Sequence, residues 1–126
     1  MKEWAFKVFK NESGNSDFLK WRKKLPVRAR AKMEQIITKM EAIKDWTQTD
    51  CFTPLTTHQG IGEIKFFIGK KQYRPLGCYG PGEKEFTLLI GAEEKGDRFK
   101  PVTAPDTASS RRKLVLKDGE TYTDEY

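Results

Sequence analysis

Met33, Ile36, Ile37, Met40 and Ile43 recur at steps of three and four residues, and this spacing commits the middle of the chain to a helix with one apolar face. The stripe extends toward Trp46, and Pro26 is placed to open the helix. Ser16 or Asp17 can cap a shorter helix before it, through Phe18, Leu19, Trp21 and Leu25. A polar stretch over 47–60 containing Pro54 predicts a loop, and beyond it the periodicity changes. Residues 61–68, 72–79 and 85–92 are short segments rich in β-branched or aromatic residues, separated by Gly69-Lys70-Lys71 and Gly80-Pro81-Gly82. They predict an antiparallel meander.

Near the start, Trp4, Phe6 and Val8 alternate with Glu3, Ala5 and Lys7, which predicts a half-buried strand. Residues 93–105 read as irregular, 106–116 as a short helix starting near Pro105, and 117–126 as a mostly acidic tail that either folds over a basic surface or, as the expected outcome, frays. The expected fold class is therefore α+β: an N-terminal strand, two helices, a meander of about three strands and a short C-terminal helix. A length of 126 residues suits one domain, 1–126.

Apolar residues are 37% and charged residues 33% of the chain, the balance of a folded protein with a heavily charged surface. No apolar run approaches the roughly 20 residues that cross a bilayer, and residues 1–10 lack a signal-peptide apolar block. The two cysteines, Cys51 and Cys78, are too few for a disulfide framework, so a reducing cytoplasm is the expected setting. A net charge of +6 favours a polyanionic partner: nucleic acid, an anionic membrane or an acidic protein.

Two groups of cations locate that partner. Lys20, Arg22, Lys23, Lys24, Arg28, Arg30 and Lys32 follow one another with no acid among them, forming either a solvated helix face or one that binds phosphates or an acidic protein partner. In the meander, Lys65, Lys70, Lys71 and Arg74 fall close to Tyr73 and Tyr79. Cations interleaved with aromatics suit RNA, because cations neutralise phosphates while rings stack on unpaired bases. The alternative is that Phe66 and Tyr73 fill the core while the lysines solubilise a sheet edge. Cys51, His58 and Cys78 fall one ligand short of a structural zinc site and lack paired spacing, so no metal is expected. The GxSxG, phosphate-loop and HExxH motifs are all missing, and no small-molecule cofactor is expected.

Residues 60–112 carry a resemblance. Gly60-Ile61-Gly62-Glu63-Ile64-Lys65, Tyr73-Arg74, Leu88-Leu89-Ile90-Gly91-Ala92, Glu94-Lys95, Pro101 and the stretch from Ala108 to Arg112 together resemble the RelE-type toxins of bacterial toxin–antitoxin modules, especially the phage-derived HigB-like branch. The resemblance implies a RelE-like fold and a ribosome-dependent, metal-independent endoribonuclease that cuts mRNA, neutralised by an acidic antitoxin. In such a cut the ribose 2′-hydroxyl attacks the adjacent phosphate, and nearby cations stabilise the accumulating charge. It implies Lys65, Arg74 and Lys95 as phosphate-stabilising residues, Tyr73, Lys65 and Glu94 as candidate bases, and Arg98, Arg111 and Arg112 as phosphate or ribosomal-RNA contacts; the two groups of cations add Lys70, Lys71, Arg28 and Arg30 as RNA contacts.

Three positions depart from the family pattern, one of them Ala92, which stands where an aromatic is usual. Lys65 stands where arginine is usual and loses the bidentate fork, and Glu94 stands where lysine is usual and reverses the charge. Two further readings follow: a non-enzymatic RNA- or protein-binding module of the same fold, or a ParE-like inhibitor of DNA gyrase.

Overall fold

The computed structural model describes residues 2–126. Its first half follows from the local signals. Strand β1 (Ala5–Phe9) buries Phe6 and Val8. Helix α1 (Asp17–Lys24) starts where the Ser16 hydroxyl accepts the Leu19 N–H, and α2 (Val27–Glu41) begins directly after Pro26, whose missing N–H costs a helix start nothing. The stripe of α2 is buried at Ala29, Met33, Ile36, Ile37 and Met40. The helix stops short of Trp46, which lies in a single 3-10 turn and folds back so that its indole N–H donates to the Met40 carbonyl at 2.8 Å.

The strands that follow are β2 (Phe52–Pro54), β3 (Gly62–Ile64), β4 (Phe66–Ile68), β5 (Lys71–Tyr73), β6 (Leu76–Tyr79), β7 (Glu85–Ile90), β8 (Glu93–Lys95) and β9 (Arg98–Lys100). Helix α3 (Ala104–Lys117), a one-turn helix α4 (Gly119–Tyr122) and strand β10 (Thr123–Glu125) complete the chain. A six-stranded sheet runs β10-β1-β7-β6-β3-β2, with β1 and β7 parallel and the other neighbours antiparallel; a four-stranded antiparallel sheet runs β4-β5-β8-β9.

This corrects the expected RelE-like fold with its single meander of about three strands. The described residues form ten strands in two sheets. The first two expected segments are broken at a corner, at Lys65 and at Arg74-Pro75, and so contribute one strand to each sheet; the third gives β7 alone, and the chain turns at Gly91-Ala92 into β8 of the other sheet. Proline has no N–H to continue a ladder, and Gly91 lies against the Trp21 ring, where a side chain has no room. The 93–105 stretch contains the β8–β9 hairpin, turning through Gly96 and Asp97, both at positive φ. The 47–60 loop contributes β2, an edge strand that tolerates Pro54.

The acidic tail is not frayed. Strand β10 pairs with β1 with Lys7 opposite Glu125, and the Tyr126 hydroxyl contacts Glu34 and accepts from Arg22 Nε at 3.0 Å.

The larger sheet lies between two helical layers. One face buries Phe6, Val8, Phe86 and Leu88 against α1 and α2; the other buries Phe9, Leu76, Cys78 and Leu89 against Ala104, Ala108 and Val115 of α3. Covering on both faces explains why β7 is apolar almost throughout instead of alternating. Its single buried hydroxyl, Thr87, donates to the Gly80 carbonyl at 2.7 Å.

Candidate nucleic-acid interface

The buried stripe of α2 is flanked by a second row at the same helical spacing: Arg28, Lys32, Gln35 and Lys39, at steps of four, three and four, three of them cationic. All four are exposed. Opposite them runs β4, whose Phe66 is buried while Phe67, between Phe66 and Ile68, is 57% exposed. Between α2, the segment after Trp46 and β4 lies a groove of about 560 Å³, bordered by Lys32, Lys39, Lys65, Asp50, Cys51 and Phe67, with Ile36 and Ile43 as apolar lining. A second hollow of about 320 Å³ adjoins Lys32 and carries the groove along α2 past Gln35 and Ala31 to Arg28, with Ile68 on the strand side.

Four cations, Arg28, Lys32, Lys39 and Lys65, line these two hollows against one carboxylate, Asp50. Among the described residues none of the four is paired with an acid, whereas Arg22, Lys71, Arg74 and Arg111 all are. A lysine or arginine without a carboxylate partner keeps its full charge for an incoming anion. The cavity therefore combines unneutralised positive charge, apolar walls and an exposed ring.

The residues expected to cut RNA are arranged differently. Arg74 lies at the corner between the two sheets, its Nε donating to buried Glu63 at 2.8 Å, its Nη1 reaching Glu94 at 3.4 Å, and its guanidinium 3.8 Å from the centre of the Phe99 ring. With its nitrogen toward Glu94, the Gln72 amide donates to that carboxylate at 2.8 and 3.2 Å. Two carboxylates thus face one guanidinium, and the corner presents no excess positive charge. Tyr73 is 2% exposed and stacks on Phe66, taking the core-filling alternative open from the sequence. Lys65, although next to this corner, lines the groove instead.

Lys71 is paired with Glu93 at 3.1 Å, and that hydrogen bond raises its pKa above the ordinary lysine value. Lys70 sits exposed at the tip of the β4–β5 hairpin, and Lys95 lies opposite Arg98 on β8–β9, both exposed. Arg30 is half-buried on α2. Arg111 is structural: it donates to the Leu89 carbonyl at 2.8 Å, pairs with Asp17 at 2.6 Å and lies over Phe9, tying α3 to β7 and α1. Arg112 packs on Gly60.

Cys51 and Cys78 occupy different places: Cys51 borders the groove, and Cys78 is buried beneath α3, where desolvation pushes its thiol up to about 12. His58 contacts Thr57 at 2.8 Å and Asp106 at 2.7 Å, pinning the 55–61 loop to the first turn of α3. Among the described residues no three His, Cys, Asp or Glu side chains are grouped as metal ligands, and no helix is long and apolar enough to cross a membrane.

Sequence reasoning missed Lys39, Asp50 and Phe67. The signal for Lys39 was the 28-32-35-39 spacing beside the apolar stripe, which extends the cationic run past Lys32. Phe67 carried no local signal, since its exposure depends on which face of β4 meets α2. No protein-family model matches the chain, and comparison finds no detectably similar curated protein and no detectably similar solved structure.

Proposed function

We propose that this protein is a non-enzymatic RNA-binding module that holds the phosphate backbone in the groove between α2 and β4. The observation that carries this reading is the set of four unpaired cations, Arg28, Lys32, Lys39 and Lys65, converging on two adjoining hollows with a single acid. The Arg28–Lys39 row spans about 16 Å of helix at 1.5 Å per residue, the length of roughly five stacked phosphates of one strand.

Binding without cleavage is favoured because the three cations expected to stabilise a scissile phosphate do not act together: Arg74 is balanced by Glu63 and Glu94, Lys95 lies on β8 outside the groove, and Lys65 alone lines it. In-line attack needs uncompensated positive charge at the phosphate. The ribosome-dependent endoribonuclease and the gyrase inhibitor implied by the resemblance have no such observation behind them.

The test is fluorescence anisotropy of a short labelled RNA titrated with the full chain across a salt series, with the RNA run on a denaturing gel afterwards. Groove binding predicts affinity falling with salt at a log–log slope of about −3, from 0.7 per contact over four contacts. The joint substitution Lys32→Ala, Lys39→Ala and Lys65→Ala should abolish binding, with the RNA intact throughout. Binding that survives the triple substitution, or displacement of RNA by polyglutamate far below its own concentration, would transfer the groove to another role. RNA cut in translating extract would instead favour the nuclease.

A further inference from the structure

We propose that the groove takes an unpaired strand, one base of which stacks on Phe67, and that it discriminates against duplex. This deepens, and rests on, the reading of the groove as an RNA site. Phe67 is set apart from the other rings of the molecule. Trp4, Phe6, Trp46, Phe52, Tyr79 and Phe86 pack on one another in one aromatic cluster, and Phe66 stacks on Tyr73. Among the described residues Phe67 and Phe99 pair with no ring, but Phe99 is covered by the Arg74 guanidinium, whereas Phe67 carries no cation and is 57% exposed on the strand that walls the groove.

Burying a phenylalanine is strongly favourable, so an exposed one on a regular strand leaves apolar area waiting for a partner. Lys65, two residues away, and Lys32 and Lys39 across the groove fix the chemistry of that partner: an anionic backbone carrying flat apolar groups. A single nucleic-acid strand has both, and its bases are free to turn onto a ring. In a duplex the bases are already stacked and paired, so Phe67 gains nothing from them without paying for unpairing. An acidic peptide offers the charge without the flat surface.

The test compares one fluorescein-labelled RNA, single-stranded and annealed to its complement, against wild type, Phe67→Ala, Phe67→Trp and the triple lysine variant. Wild type should bind the single strand at least about tenfold more tightly than the duplex. Phe67→Ala should lose about fivefold or more on the single strand, the alanine penalty for one stacked base, with little change on duplex; Phe67→Trp should keep the preference. Thermal unfolding checks that Phe67→Ala folds, as expected for an exposed side chain. Equal binding of both RNAs, abolished by the triple lysine variant, overturns the stacking inference and leaves the groove reading standing. No binding to either RNA overturns both. A single-strand preference that Phe67→Ala leaves intact overturns the role of Phe67.

Discussion

The groove beside α2 and the corner between the two sheets both collected cations in the sequence, yet they differ in what surrounds the charge. At the corner, Arg74 is held by Glu63 and Glu94 and covered by Phe99. In the groove, Lys32, Lys39 and Lys65 have apolar walls and no acid partner, with Asp50 alone nearby. A cation balanced by buried carboxylates contributes architecture, while one without a partner is available to a ligand. Counting basic residues along a chain cannot separate the two cases, because the compensating acids come from elsewhere: Glu63 lies eleven residues before Arg74 and Glu94 twenty after it.

Replacing Arg74 by alanine would strand the Glu63 carboxylate in the interior, and removal of one partner from a buried pair costs about 3–5 kcal/mol. Urea unfolding should register that loss while RNA affinity of the folded protein holds. A stable Arg74→Ala protein that no longer binds RNA would reverse the contrast. The triple lysine variant should behave in the opposite way, with stability within about 0.5 kcal/mol of wild type and RNA binding lost.

The tail cluster of Tyr126, Arg22 and Glu34 belongs with the architectural set. Desolvation and the bond to Glu34 raise the Tyr126 pKa above the ordinary value of 10.0, outweighing the opposing effect of Arg22. A phenol whose pKa rises on folding adds stability that is complete below the ordinary value and is lost as pH climbs past it. Wild type should therefore lose stability above pH 10 more steeply than Tyr126→Phe, and at neutral pH Tyr126→Phe should cost about 1 kcal/mol for its hydrogen bond. Parallel pH curves for the two proteins would remove Tyr126 from that set. The smallest effect belongs to Asp50→Asn, which deletes the one negative charge in the groove and should tighten RNA binding by up to about 1 kcal/mol, read as a few-fold lower dissociation constant. Weaker binding would mean that Asp50 contacts the RNA directly.

The elements readable from sequence were those with a local cause: the Ser16 cap, the Pro26 start, the α2 stripe and the helix near Pro105. The two sheets were not readable, because strands of three residues such as β2, β9 and β10 are too short to show a period of two. The β8–β9 turn did leave a trace in Gly96-Asp97, a dipeptide suited to positive φ at both positions. For the site, the lysines were visible as charge, but the partners that neutralise some and spare others are set by tertiary pairing.

Strand β1 lies between β7 and β10, with Ala5 opposite Glu85 and Lys7 opposite Glu125. During synthesis both neighbours are translated long after it. At 5–20 residues per second, roughly 4–15 s separate the end of β1 from the start of β7. Throughout that interval Phe6 and Val8 have no sheet to join, so the nascent chain carries an adhesive edge that chaperones or neighbouring chains can capture. A circular permutant that delivers β1 after β7 should close the sheet sooner and aggregate less.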